Sequence, residues 1–370
     1  MHVPVFELER GQSVWENRVE YNLTESGVHP YTLNELLGPE EAAALADVRL
    51  GYGQTNGSIA LREAIAALYP GATADNVLVT NGSAEANFVA TWCALEPGDE
   101  MLYMVPNYLQ IGGVAGSMGV AVRPLELRRE LGWQPDLEAI ETLVGARTRV
   151  VAVCNPNNPT GMTLAPEAME ALLAAAERVG AWLLVDEVYR GAELDGRDTP
   201  SFWGRYARVV VTGGLSKAYA LPGLRLGWLA GPADFIETAW ARTDYTSIAP
   251  GVLSDAVALR ALAPDLRARI LARNRALLVA NLAELETWIA RQPVAMTLTP
   301  PRAGGMAFVR YALDMGSTEL CDRLREQHSV LIVAGDCFGL DGNVRIGFGA
   351  EPEYLRRGLE RIGTFLASRG

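Results

Sequence analysis

Short apolar runs rich in Val and Leu recur along the chain at 77–79, 101–105, 150–153, 182–185 and 209–211. Runs without polar alternation are buried on both faces, the pattern of strands inside a parallel sheet. Parallel neighbours need crossover connections, and between several runs lie helical patterns such as 167–179, with its stripe of Ala and Leu. The fold class expected is α/β, with a mostly parallel sheet between two helical layers in a large domain at 46–275. The stretch 264–291 has no internal Pro or Gly and is long enough to bridge two domains. Beyond it, segments at 304–311, 330–333 and 344–348 suggest a smaller α+β domain at 276–370, joined by an N-terminal arm at 1–45. Two unequal domains suit a chain of 370 residues.

A net charge of −12 argues against a nucleic-acid or anionic-membrane partner, although a local arginine can still bind a small anion. No apolar run reaches the roughly 20 residues that span a bilayer, and the start, with Glu7, Glu9 and Arg10, lacks a signal-peptide pattern. A cytoplasmic protein is expected. Cys93, Cys154, Cys321 and Cys337 are too widely spaced for a metal site or disulfide framework, so buried free thiols are expected and no metal.

The run at 77–80 leads into Asn81-Gly82-Ser83-Ala84-Glu85 and then an Ala-rich helical pattern. A helix N-terminus after a strand offers free N–H groups to a phosphate, and Gly82 allows close approach. The alternative is a plain N-cap by Ser83. Asp186 ends the run 182–185 and so points out at the carboxyl edge of the sheet, where α/β proteins place ligands. Its carboxylate can pair with a protonated ring nitrogen and keep the ring an electron sink; acidic pairs such as Asp186-Glu187 also serve as solvated caps. Tyr189 and Asn158 can bond a phenolate oxygen on that ring. Lys217, alone, would read as a surface lysine. Near cationic Arg225 in a partly dry pocket, it is driven toward the neutral amine that attacks an aldehyde. Arg225, beside an apolar strand, is suited to a phosphate. Three runs therefore lie in order: Asn155-Pro156-Asn157-Asn158-Pro159-Thr160-Gly161, Asp186-Glu187-Val188-Tyr189, and Ser216-Lys217 with Arg225 eight residues on. Amide, carboxylate, phenol, amine and guanidinium together are the groups that grip pyridoxal phosphate.

Across about residues 22–349 these motifs resemble the class I/II aminotransferases of the aspartate aminotransferase superfamily, pyridoxal-phosphate enzymes of fold type I. The resemblance implies a mostly parallel seven-stranded sheet flanked by helices in the large domain, a smaller α+β domain, and pyridoxal 5′-phosphate as cofactor. It implies that Lys217 forms the Schiff base, that Asp186 pairs with the pyridine nitrogen, and that Asn158 and Tyr189 bond the phenolate oxygen. Tyr108, in Pro106-Asn107-Tyr108, matches the aromatic stacked on the ring. Gly82, Ser83, Ala84, Ser216 and Arg225 match or neighbour the phosphate cup. Arg345, in Val344-Arg345-Ile346-Gly347, matches the clamp on the substrate carboxylate, and Gly27 the glycine of the N-terminal substrate loop, with Asn158 also on the substrate side. Tyr52 resembles the tyrosine that reaches the neighbouring subunit's phosphate, which implies a homodimer with shared sites.

The chain departs from the family pattern in places. Gly214 stands where a phosphate-binding hydroxyl is usual, with Thr212 or Ser216 as candidates to compensate. Asp336 adds a polar group expected to shape the substrate pocket, and Glu25 and His29 are candidates to touch a basic or polar substrate side chain. The implied reaction moves an amino group between an L-amino acid and a 2-oxo acid. The same electron sink serves β-eliminating C–S lyases and cyclising or replacing enzymes of amino-acid-derived metabolite synthesis, so cofactor motifs do not separate them. A non-catalytic regulatory domain of the same fold is disfavoured by intact Lys217, Asp186 and Arg345.

Overall fold

The computed structural model describes residues 3–369. Its main sheet has eight strands, in the order Val77–Thr80, Gly227–Ala230, Val209–Gly214, Trp182–Asp186, Thr148–Cys154, Glu100–Val105, Ala121–Arg128 and Gln134–Pro135. Gly227–Ala230 runs antiparallel to both neighbours and Gln134–Pro135 antiparallel to Ala121–Arg128, while the other pairings are parallel. The eighth strand corrects the expected seven. It has two residues, one of them Pro135, whose missing N–H confines it to an edge.

Every residue of Val77–Thr80, Val209–Gly214 and Gly227–Ala230 is buried. Successive side chains serve opposite faces: Val151, Val153, Leu183 and Val185 pack into one apolar cluster, Val150, Ala152 and Leu184 into another. This two-sided burial is why these segments read as unbroken apolar runs. Helix Pro166–Val179 opens on a proline at its first position and ends at Gly180, whose φ of +69° supplies the left-handed cap.

Helix Pro264–Ala290 spans 27 residues without internal Pro or Gly. Past it, Met296–Leu298, Met306–Tyr311, Asn343–Gly347 and Val333–Ala334 form an antiparallel sheet. The N-terminal arm is tied to this region by Tyr21–Asn22, which pairs in parallel with Val330–Leu331. Residues 23–28 then thread between glycines. A Cβ at Gly349 would lie 1.9 Å, and one at Gly305 2.3 Å, from the Gly27 carbonyl oxygen, so neither position admits a side chain. Among the described residues, no helix is long and apolar enough to cross a membrane. The four cysteines are free thiols; Cys154 and Cys321 are buried, whereas Cys93 and Cys337 are only half-buried.

Candidate active site

The carboxyl ends of the parallel strands converge on a cavity of about 310 Å³. Its wall includes Ser83, Ala84, Tyr108, Asn158, Asp186, Tyr189, Ser216, Lys217, Arg225 and Arg345. Most of them end or follow a strand of the main sheet or open the helix after one, Arg225 stands just before strand Gly227–Ala230, and Arg345 lies within strand Asn343–Gly347 of the smaller sheet, so residues up to 262 positions apart (345 − 83) meet in one place.

At one end, helix Ser83–Ala94 begins. Its N-cap is Gly82 rather than Ser83, and no side chain caps it, so its first N–H groups remain available to an anion. Gly82 has φ +87°, and a Cβ there would lie 2.5 Å from Arg225 Nη2. Arg225 donates to the Pro222 carbonyl at 3.0 Å and reaches Ser216 Oγ at 3.5 Å. It is exposed rather than buried against its strand, and no carboxylate pairs with it among the described residues. The close packing around Gly214 explains its small side chain: a Cβ there would contact the Leu226 carbonyl at 3.2 Å and Ser83 Cβ at 3.4 Å. Thr212 does not substitute for the missing hydroxyl. It is buried and donates to Asn87 Oδ1 at 2.7 Å, so of the two candidates only Ser216 lines the cavity.

Asp186 lies deep in the same cavity, 7% exposed. Asn87 Nδ2 donates to one oxygen at 2.9 Å and the Val188 N–H to the other at 3.0 Å. Burial raises its pKa above the usual aspartate value, against those two hydrogen bonds and the charge of Lys217. No cation among the described residues lies within ion-pair distance, so a cationic ring nitrogen would relieve the penalty. Sequence reasoning missed Asn87, although a polar residue four positions after Ser83 in an Ala-rich helix marks the same helix face.

Lys217 is accompanied by Glu25, whose Oε2 is 3.5 Å from Nζ, rather than by Arg225. Gly27 packs beside it: a Cβ there would meet Lys217 Cδ at 3.4 Å. Tyr189 OH and Ser26 Oγ share a hydrogen bond of 2.8 Å, and burial raises the Tyr189 pKa. Tyr108 donates to Glu9 Oε1 at 2.8 Å. Arg345, 2% exposed, donates from Nη1 to Asn158 Oδ1 at 2.8 Å and from Nη2 to the Thr24 carbonyl at 2.6 Å, while Nε has no partner. Burial lowers its pKa, opposed by Tyr189, Glu25 and Glu9.

Other sequence candidates lie elsewhere. His29 is exposed and off the cavity; its carbonyl accepts from Arg273. Asp336 accepts from Thr318 Oγ1 at 2.8 Å and so serves the start of helix Ser317–His328. Tyr52 is 89% exposed and does not line its own chain's cavity. Conversely, helix Glu7–Trp15 contributes Leu8, Glu9, Gln12 and Ser13 to the wall, which no sequence signal had indicated.

An open helix terminus with an arginine at one end, a desolvated carboxylate at depth and a lysine on the wall fit a phosphorylated pyridine aldehyde. Fold and donor set define a pyridoxal-phosphate enzyme of fold type I. The model for "Aminotransferase class I and II" matches residues 25–362, and the chain belongs to that family. It is 33% identical to capreomycidine synthase of Streptomyces vinaceus, over 94% of this chain and 91% of that protein. It is 32% identical to an arginine–pyruvate transaminase of Pseudomonas aeruginosa, over 85% and 82% respectively. A crystal structure of a pyridoxal-phosphate-dependent aminotransferase from Streptococcus suis superimposes with a TM-score of 0.94 at 36% identity, covering 100% of this chain and 99% of that one. The cofactor is accordingly pyridoxal 5′-phosphate.

Proposed function

We propose that the enzyme transfers an amino group between an L-amino acid and a 2-oxo acid. The observation that carries this is the shared cavity of Lys217, the desolvated carboxylate of Asp186, and Arg345 with its unpartnered Nε. When bound, the cofactor supplies a carbonyl carbon that accepts nitrogen and a ring that withdraws electrons from Cα. The N–H groups of Ser83 and Ala84, with Ser216 and Arg225, would hold its phosphate. Asp186, oriented by Asn87, would keep the ring nitrogen protonated. Tyr189 and the amide nitrogen of Asn158 would bond the phenolate oxygen, and Tyr108 would lie against the ring. Arg345 takes the substrate carboxylate as a charge-assisted partner. Lys217 Nζ would be the amine that anchors the cofactor and, when free, the base that takes the substrate's Cα proton. The sequence similarity to an arginine–pyruvate transaminase supports this reading.

A second reading is cyclisation or replacement at the substrate's β-carbon. Two observations favour it: the likeness to a solved structure of a pyridoxal-phosphate-dependent cyclase, with a TM-score of 0.90 at 29% identity, and Glu25 beside Lys217, a second proton-transfer group of the kind that departure of a β-substituent requires. Incubating the holoenzyme with amino donors and following its visible absorption separates the two. Amino transfer predicts a spectral change reversed by a 2-oxo acid, with stoichiometric exchange of nitrogen. A product that keeps the donor nitrogen, formed without a 2-oxo acid, overturns it in favour of the second reading.

A further inference from the structure

The cavity wall contributed by the N-terminal segment is acidic on one helical stripe. Glu9, Gln12, Ser13 and Glu16 follow the i, i+3, i+4, i+7 spacing of a single helix face, and all four line the cavity. Gln12 Nε2 donates to Thr24 Oγ1 at 2.7 Å, which fixes this face against the substrate-side loop. Glu9 Oε1 accepts from Tyr108 OH, leaving Oε2 without a partner among the described residues. The Glu16 carboxylate makes no hydrogen bond or ion pair among them.

The charges in the cavity decide what these two acids face. The wall carries Lys217, Arg225 and Arg345 against Glu9, Glu16, Glu25 and Asp186. In the reading above the three cations serve the amine exchange, the phosphate and the carboxylate, and Asp186 serves the ring nitrogen. Glu25 stands beside Lys217. Glu9 and Glu16 alone have no counterpart. Arg345 supplies an independent sign of a ligand: it is nine-tenths buried, its Nε is unpartnered, and the charge of Glu9 is among those that support it. The carboxylate anchor and the acidic stripe therefore lie within electrostatic reach of each other. An acidic side chain on the substrate would meet like charge, and an apolar one would strip water from two carboxylates without replacing it.

We propose that Glu9 and Glu16 select an amino acid whose side chain ends in a cation, of the guanidinium or primary ammonium class; the inference rests on the α-amino-acid reading of the site. A guanidinium offers the planar fork that two carboxylates accept best.

The test uses the holoenzyme and two ligands without a Cα proton, which bind but do not turn over: α-methylarginine and its neutral near-isostere α-methylcitrulline. Calorimetry is expected to give the cationic ligand an advantage of about tenfold or more, as for hydrogen bonds to charged groups. In Glu9→Gln/Glu16→Gln the advantage should fall below about threefold, with thermal midpoint and visible absorption retained. Should the double variant not fold, Glu16→Gln alone should lose part of the advantage. Equal binding of the two ligands by the parent, or a preference that survives in the folded variants, overturns the proposal. Cationic preference without nitrogen transfer to a 2-oxo acid would leave this selection standing and remove the amino-transfer reading. Nitrogen transfer from arginine and citrulline at equal kcat/KM would do the reverse.

Discussion

At Asp186 burial opposes the charge that the proposed role requires of the carboxylate, and the surrounding hydrogen bonds work against that penalty. Asn87 and the Val188 N–H each satisfy one oxygen, and Thr212 holds Asn87 in turn. Asp186→Asn keeps the volume and removes the charge. Turnover should therefore fall by about a hundredfold or more, the scale of losing a placed electrostatic group, while cofactor affinity, set mainly at the phosphate end, changes by less than about tenfold. Stopped-flow kinetics and a cofactor titration on the same variant measure both. Fast Cα-proton exchange with collapsed cofactor affinity would assign Asp186 to anchoring instead. Asp186 and Lys217 were legible because each ends or follows a strand-like run, and Arg345 because the run Val344-Arg345-Ile346-Gly347 that contains it resembles the family motif. Asn87, Thr212 and Ser26 were not, because their roles depend on hydrogen bonds to residues 99, 125 and 163 positions away, a separation that no local pattern encodes.

Strand Trp182–Asp186 ends in one acid and is followed by another, and the two face different ways, since adjacent residues of an extended chain point to opposite sides. Glu187 turns from the cavity into the protein, where Ser201 Oγ donates to it at 2.7 Å and the Phe202 N–H at 3.1 Å. Burial pushes its pKa up to about 7, against the charge of Arg190 and these hydrogen bonds, with Asp186 adding to the rise. A carboxyl with a raised folded-state pKa favours the folded protein below its unfolded value and loses that contribution as pH climbs through the folded one. The unfolded chain then binds fewer protons than the native one between about pH 4.5 and 7, so stability should decline across that window by up to about 3 kcal/mol from this group. Glu187→Gln removes its share. Denaturant unfolding of parent and variant as a pH series should show a shallower decline in the variant; identical slopes would mean that Glu187 titrates as an ordinary carboxyl. The buried strands and helix Pro264–Ala290 were legible from apolar runs and from the absence of breakers. The edge strand Gln134–Pro135 and helix Glu7–Trp15 were not, because neither has a strong apolar pattern and both are held by neighbours. The division proposed at 275/276 falls inside helix Pro264–Ala290.

Across the whole molecule, Tyr52 is the sequence candidate that its own chain's cavity leaves unused. It stands in an exposed patch with Leu50 and Ile59, and a second exposed apolar stretch carries Tyr245, Ile248 and Leu253. The two stretches adjoin: Ser58 Oγ donates to Asp255 at 2.6 Å, and a Cβ at Gly53 would lie 3.2 Å from Val252 Cγ1. Asn81, at the turn leading to the phosphate-side helix, donates to Ser247 Oγ at 2.7 Å, so this surface borders the mouth of the site. A single chain's sequence cannot display such a border, because it forms only when distant segments meet and its use depends on a second copy. We propose an isologous dimer in which Tyr52 completes the partner's phosphate site. Mixing inactive Tyr52→Phe subunits with inactive Lys217→Ala subunits would then gather both lesions into one site of each mixed dimer and leave the other whole. After random exchange half the dimers are mixed, each with one intact site of two, so activity should return to about a quarter of that of the parent. The measurement is turnover against time after mixing, with exchange followed independently by mass-tagged subunits and a marked defect first verified in each variant. Complete exchange without recovery would mean that Tyr52 serves its own chain, and the exposed patch would then need another explanation.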